Sequence, residues 1–210
     1  MPSVRCGALA AMLFAGLCGS AAAGGPPGPL KDWPCPAPFA DQLTPQGVWP
    51  AALPAPLPSA EAWSGDAEAR GLVEFVASPE NSPSSGIRHI EEFVQANGAL
   101  RPELAMLVLT GMVERVNKIR DILIEGIRTH VIRSHILAEA VADNDASLAL
   151  AATAPSADSA RPPEAIRKAR FQNLRSLDDV GDGAEMLCHR YAYDESKAKA
   201  LAAALQSHTR

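Results

Sequence analysis

The feature that most constrains the fold is the stretch from Pro102 to about Ala142, which contains no further proline and has a regular apolar spacing. Its apolar residues recur at intervals of three and four, the spacing of one helical face and of coiled-coil packing. They are Leu109, Met112, Val116, Ile119, Leu123, Ile127, Leu137 and Val141. At ~1.5 Å rise per residue this helix would be about 60 Å long, so it must bend or form the spine of an elongated bundle. Gly126 is the expected point of bending or close packing.

One segment of this helix, LAMLVLTGMV at 104–113, is apolar on every side. Ten residues are too few to cross a membrane, so we expect this segment to be surrounded in the core. Farther along, Glu114 with Lys118 and Glu125 with Arg128 have the spacings of helical ion pairs. These charges indicate a solvated face of the helix.

Two shorter helices are predicted before the long one. The first covers 65–78 and has acids in its first turn, where the helix dipole favours them. The second covers 84–98, with Ser84 or Ser85 as its N-cap and Gly98 at its end. Both are amphipathic, so both need a surface to pack on.

After the long helix, residues 143–163 are polar, small and proline-ended, which predicts a loop or a frayed helix end. A helix over 163–177, a break at DVGDG and a last helix from Ala184 to about Ser207 would then run back along the spine. The sequence therefore predicts an all-α fold, an elongated helical bundle or hairpin around one long helix. We assign 63–210 to this bundle domain.

The N-terminus has the order of a secretory signal: a charge at Arg5, an apolar run over 8–17, and small residues ending at Ala23. We place cleavage after Ala23, so 1–23 is the predicted signal peptide. The apolar run falls short of the ~20 residues of a membrane anchor. A lipid anchor would require a small residue directly before its cysteine, but Leu17 precedes Cys18. The expected location is periplasmic or secreted, with no membrane span after cleavage.

Residues 24–62 contain most of the prolines, which block helices and central strands and therefore predict an extended arm. Trp33, Trp49 and Trp63 lie in this arm or at its edge. Exposing indole rings to water is unfavourable, so we expect them to anchor the arm on the bundle. The alternative is an aromatic platform that binds a partner.

Cleavage leaves the mature chain with two cysteines, Cys35 and Cys188. In an oxidising compartment they can pair, closing a loop of about 154 residues worth on the order of 5 kcal/mol. A free catalytic thiol and an intermolecular disulfide are the alternatives. His189 is adjacent to Cys188 in sequence, but on a helix it points about 100° away.

The mature charge argues against nucleic acid as a partner. Loss of Arg5 leaves 18 of the 19 basic residues against 24 acidic ones, a net charge of −6. Basic residues are clustered at the end of the predicted loop and in the predicted helix that follows it. They are Arg161, Arg167, Lys168, Arg170 and Arg175. The acids that follow can neutralise it within the fold; they are Asp178, Asp179, Asp182 and Glu185.

Candidate chemistry is sparse. The segment DDVGDGAEMLCH matches a calcium loop at Asp178, Asp182 and Gly183, but Val180 and His189 stand at two ligand positions. A zinc site lacks ligands, because the histidines of the helices are scattered over different faces; these are His89, His130 and His135. We therefore expect no catalytic, cofactor-binding or metal-binding residues.

Four segments resemble a set of small exported bacterial proteins of unassigned function. They are DWPC at 32–35, GVWP around Trp49, LTGMVERVNKIRDILIEGI at 109–127, and the late cysteine with its helix, LCHRYAYDESKAKALAAAL. In that set the early and late cysteines recur, so the resemblance favours pairing of Cys35 with Cys188. It implies no activity.

Three classes of function remain. The first is a non-enzymatic periplasmic helical protein that binds another envelope protein or stabilises an envelope assembly. The second is a binding protein for a metal ion or small ligand, using the acids near Asp178–Glu185 or the aromatic arm. The third is an enzyme with dispersed catalytic residues. We predict the first, because it needs no chemistry that the sequence lacks.

Overall fold

The structure, a computed structural model, describes residues 32–53, 56–153 and 161–209. The predicted signal peptide, 1–23, lies outside the described residues, as do the first residues of the predicted arm. The described chain is all-α, as the sequence predicted. Its elements are α1 (Pro45–Val48), a 3-10 turn (Ala62–Gly65), α2 (Ala67–Val76), α3 (Pro83–Asn97), α4 (Pro102–Thr153) and α5 (Pro163–His208).

The predicted long helix is α4, and it is continuous through Gly126. It has 52 residues, which corresponds to about 78 Å at ~1.5 Å per residue. The loop predicted over 143–163 is wrong in its first half, because residues 143–153 remain helical. This stretch has neither proline nor glycine and is rich in Ala and Leu, which favour helix. Asn144 is buried and its side chain donates to the Ala140 carbonyl at 2.7 Å.

The break predicted at DVGDG is also wrong, because α5 runs through it as one helix of 46 residues. Glycine inside a helix costs only about 1 kcal/mol, which tertiary packing can offset. Here that packing is visible at Gly183, where the ring of His130 on α4 occupies the space that a Cβ would need. Gly126 on α4 likewise faces Leu187, whose Cδ1 lies 3.0 Å from the Cβ position. Gly126 is therefore a point of close packing.

The two long helices form an antiparallel hairpin. Contacts between them join Arg120 to Tyr191, His130 to Val180 and Asp145 to Arg170, so numbers rise on one helix as they fall on the other. Covered positions of α5 recur every seven residues in two series. The first series is Ile166, Asn173, Val180, Leu187, Asp194 and Leu201, and the second is Arg170, Leu177, Ala184, Tyr191, Ala198 and Leu205.

The larger core cluster lies at the base of the hairpin, where α2 and α3 pack on α4 and α5. The apolar segment 104–113 is at its centre, as predicted, and Ala105, Val108 and Leu109 are fully buried. Leu43, Val48 and Trp49 of the predicted arm belong to the same cluster. The arm is therefore packed on the bundle, and it contains the short helix α1.

The helices of the base begin and end at residues with the expected chemistry, with one correction. Asp66 caps α2 by accepting from the Ala69 amide at 2.9 Å. Ser82 caps α3, so the prediction of Ser84 or Ser85 was wrong. Pro83 takes the first helical position, where its missing N–H costs nothing. The cap is therefore Ser82, two residues before the first predicted cap, Ser84. Gly98 ends α3 with a positive φ of 85°.

A buried lysine fastens α5 to the turn between α2 and α3. The Lys197 ammonium donates to the carbonyls of Ser78 and Asn81 at 2.6 and 2.7 Å. Burial lowers the pKa of Lys197, and the charge of Asp194 partly opposes that effect. The contact satisfies two carbonyls that the turn leaves without helical partners.

Trp63 closes the other side of the base. Its ring lies on Gly111 of α4, with Cγ 2.5 Å from the position of an added Cβ. Its indole N–H donates to Glu114 at 2.6 Å, and Lys118 donates to the other carboxylate oxygen at 2.6 Å. The bonds from Lys118 and Trp63 lower the pKa of Glu114. The predicted pair Glu125–Arg128 is also present, at 3.2 Å.

Replacing Gly111 with Ala will destabilise the protein, because the new methyl group collides with the Trp63 ring. We expect a loss of about 1–3 kcal/mol in the free energy of unfolding, measured in urea. Gly71→Ala in α2 is the matched control, since nothing lies within 4 Å of its Cβ position. That control should gain up to about 1 kcal/mol from helix propensity. Equal loss from both variants would contradict the packing described.

Candidate functional site: the strap across the hairpin

Residues 32–43, which we call the strap, cross the α4–α5 hairpin and are joined to it covalently. Cys35 and Cys188 form a disulfide, with their Cα atoms 5.2 Å apart and a separation of 153 positions in sequence. Both cysteines are buried. The predicted intramolecular pairing is therefore present, and the alternatives of a free thiol and an intermolecular bond are wrong for this structure.

Aromatic side chains pack around the disulfide. The Trp33 ring meets the edges of Phe39 and Tyr191 at centroid distances of 5.0 and 5.1 Å. The Trp33 indole N–H donates within the strap to the Ala37 carbonyl at 2.8 Å. With Leu123, Ile124 and Ile127 of α4, these rings form the smaller core cluster. The strap thus covers a small apolar core of its own.

Arg120 lies under the strap and has no exposed surface. Its guanidinium carbon is 3.9 Å from the centre of the Tyr191 ring, a cation–π contact. Its terminal nitrogens donate to the carbonyls of Tyr191 at 3.3 Å and Ala40 at 3.1 Å. Among the described residues no carboxylate pairs with it, and its Nε has no partner. One side chain of α4 therefore contacts both α5 and the strap.

Two further side chains bind the strap through its backbone. The Tyr191 hydroxyl accepts from the Ala40 amide at 2.8 Å and donates to the Ala40 carbonyl at 2.9 Å. The Asn117 amide group makes the same double contact with Leu43, at 2.8 and 2.9 Å. Because the strap has no regular backbone hydrogen bonding of its own, these contacts to its main chain fix its path.

The sequence patterns did not identify Arg120, Asn117 or Tyr191 as members of a site. A signal for Arg120 exists: it continues the three-and-four spacing between Val116 and Leu123, so a charged residue stands at a core position. A charge at such a position indicates a buried polar contact. Asn117 and Tyr191 gave no comparable signal, because their partners are backbone groups far away in sequence.

The three tryptophans predicted as anchors or partner-binding residues lie in two places. Trp49 and Trp63 are buried in the larger core, and Trp33 is half-buried in the strap. This chain itself covers nearly all of the first two rings, as an anchor requires. A partner-binding role for them stays a prediction.

The two larger of the described grooves that border the strap exceed 400 Å³. One, of about 480 Å³, lies between the strap end and α4, and its polar side chains Glu114 and Asn117 already bond to Trp63, Lys118 and Leu43. The other, of about 420 Å³, lies beside Cys188; we call it the disulfide groove. It is lined by Pro34, Pro36, His130, Val131, Ser134, Val180, Gly181, Ala184, Glu185 and Cys188. Grooves with occupied or few polar groups offer a small ligand little orientation.

The segment compared with a calcium loop does not have that conformation. Asp178, Asp182 and Gly183 lie inside α5, whose regular turns cannot bring their oxygens around one ion as a calcium loop does. In the described ranges, no group of three or more His, Cys, Asp or Glu side chains is placed to hold a metal. His89 lies 4.0 Å from Glu92 and stacks on Phe75.

Comparisons with known proteins add no relative: no family model, curated protein or solved structure matches this chain. Within the described residues, no helix is long and apolar enough to cross a membrane.

Replacing both cysteines with serine will release the start of the strap. We expect a loss of up to about 5 kcal/mol in unfolding free energy, the chain-entropy value for so long a loop, and a change in Trp33 fluorescence as its ring is exposed. The companion measurement is alkylation of the native protein under oxidising conditions, where no label should enter Cys35 or Cys188 before reduction. Labelling of both sulfurs without reductant would contradict the structure.

Truncating Arg120 to Ala removes the stack on Tyr191 and the bond to Ala40, and leaves a cavity. We expect a loss of about 3 kcal/mol in unfolding free energy and faster hydrogen exchange at the Ala40 amide. Arg115→Ala is the control, because Arg115 is an exposed arginine of the same helix. Its effect should stay within about 0.5 kcal/mol. Wild-type exchange at Ala40 in the Arg120 variant would show that Arg120 does not hold the strap.

Proposed function

We propose that this is an exported, non-enzymatic protein that binds another protein of the cell envelope through the far half of its helical hairpin. The observation that carries the proposal is the extent of the hairpin beyond its core. Among the described residues, the core clusters end at Ile127 on α4 and at Cys188 on α5. About 26 further residues of α4 then project for about 40 Å.

Residues 131–153 and 161–180 form this projecting half. Among the described residues, the two helices of this half pack mainly on each other, through the seven-residue recurrence typical of an antiparallel coiled coil. A pair of helices buries one face of each helix, so the outer faces of the projecting half contribute little to stability. The length of the projecting half, which its own stability does not require, supports a role for its outer surface in binding a partner.

The outer surface of the projecting half carries large apolar side chains. Ile132, Ile136, Leu150 and Phe171 are 55, 60, 68 and 67% exposed. Ile132 and Ile136 are four residues apart and share one face of α4. Adjacent exposed aliphatic groups are typical anchors of protein contacts. A partner protein would cover them.

Export rests on the chemistry of the disulfide and on the signal-like N-terminus. A buried disulfide is rare in a reducing cytosol and common in secreted and periplasmic proteins. The resemblance to small exported bacterial proteins points to the same compartment. A non-enzymatic role is favoured because Cys35, Cys188, Arg120 and Tyr191 are all engaged in structural contacts between the strap and the hairpin.

The test is capture of envelope proteins on the immobilised mature chain, compared among three forms. Ile132→Ser combined with Ile136→Ser should reduce retention of the partner at least about tenfold, since a central apolar contact is lost. Ile122→Ser is the matched control, because Ile122 is 74% exposed on the same helix but lies beside the strap-covered core.

The retained protein must also form crosslinks to residues of the projecting half. Such crosslinks would exclude nonspecific adhesion to the beads as the cause of its retention. Unchanged thermal unfolding of both variants will show that the fold is intact. Equal retention by the wild type and the double variant would contradict the proposal.

A further inference from the structure

The outward side of α5 in the projecting half and just below it is divided by charge. Lys168 and Arg175 come first, and Asp178, Asp182 and Glu185 follow. At 100° per residue these side chains lie within an arc of about 100° on the helix surface. One face of α5 is thus positive toward the hairpin tip and negative toward the strap.

These charges are exposed and mostly have no partner in the part of the chain that the structure describes. Glu185 faces His189 at 3.5 Å, while Lys168, Arg175, Asp178 and Asp182 form no ion pair with a described residue. The neutralisation predicted from the sequence takes place elsewhere: Arg170 pairs with Asp145 across the hairpin, and Arg167 pairs with Glu164. The face therefore retains separated charges of both signs.

This side of α5 carries a projecting ring, and a recess borders it farther along the helix. Phe171 is 67% exposed and lies seven residues from Asp178 and fourteen from Glu185, on one line along the helix. The disulfide groove begins at Gly181, where no atom lies within 4 Å of a Cβ position, and extends to Cys188. Its volume is about 420 Å³, and prolines and Val180 give it an apolar lining.

We propose that this face binds a second copy of the chain in antiparallel orientation, with Phe171 of each copy packing at the rim of the other copy's disulfide groove, beside Gly181. A two-fold axis across antiparallel helices requires that the residue numbers of every facing pair have the same total. Lys168 with Glu185, Arg175 with Asp178, and Phe171 with Asp182 beside Gly181 all meet that condition. One register thus joins opposite charges twice each and places the ring at the groove.

Charge complementarity favours a second copy over other occupants. A nucleic acid or an anionic membrane would call for a face of one positive sign, whereas this face presents both signs in mirror order. A face that is complementary to itself is the signature of an isologous dimer. The inference goes beyond the proposed function: both use the hairpin as a contact surface, but this one names a different partner and different residues.

The test is the mass of the mature protein in solution, by light scattering and sedimentation over about two decades of concentration. The wild type should dimerise, and higher salt should weaken the dimer. Lys168→Glu and Glu185→Lys should each weaken it at least about tenfold, because each places like charges opposite each other twice. An equimolar mixture of the two variants should recover a heterodimer of wild-type strength, in which both pairs are again opposite in sign.

Two substitutions complete the design. Phe171→Ser should weaken the dimer without changing thermal unfolding of the monomer, because the ring is exposed. Arg88→Glu, on an exposed position of α3, is the charge-reversal control and should leave the dimer unchanged.

A protein that stays monomeric at every concentration would overturn the inference, as would a dimer that the mixed variants fail to restore. Either result would leave the proposed function standing if an envelope protein still binds through Ile132 and Ile136. Conversely, a restored heterodimer without any captured envelope protein would support self-association and reject the proposed partner.

Discussion

The structure depends on a buried guanidinium that meets three parts of the chain. Arg120 extends from α4, lies on the Tyr191 ring of α5 and donates to the strap at Ala40. Burying a charge is expensive unless its hydrogen bonds are replaced, and here carbonyl oxygens and an aromatic face replace water in place of a carboxylate. The positive charge therefore requires that α5 and the strap both be present.

The contacts that Arg120 makes with Tyr191 and the strap divide the hairpin into two parts with different physical roles. Toward the base, α2, α3 and the strap cover α4 and α5, and buried groups such as Lys197 fix the connections. Beyond the strap, each helix has only the other as a neighbour within the described ranges, so apolar residues such as Ile132 and Phe171 face solvent. The proposed contacts with partners use that second part, where the chain has satisfied its core and still presents apolar and charged groups.

Much of the fold follows from sequence periodicity, and the failures have identifiable causes. The long helix, its apolar segment 104–113 and the end of α3 at Gly98 follow from local patterns. The loop predicted from 143 failed because the Ala and Leu residues there favour helix, and the break predicted at DVGDG failed because packing across the hairpin offsets the cost of glycine, as the contact of Gly183 with His130 shows. Arg120 and Tyr191 could not be placed together, because their contact joins residues distant in sequence.

The position of the disulfide has a consequence for damage to the backbone. The bond joins residue 35 to residue 188, so it encloses most of the described chain, including all of α4 and the tip of the hairpin. A protease that cuts once anywhere inside this ring opens it without separating the pieces. The disulfide still links the two fragments, and the contacts between the strap and the hairpin are retained. In an oxidising compartment a molecule cut once therefore remains a single covalent unit until the disulfide is reduced.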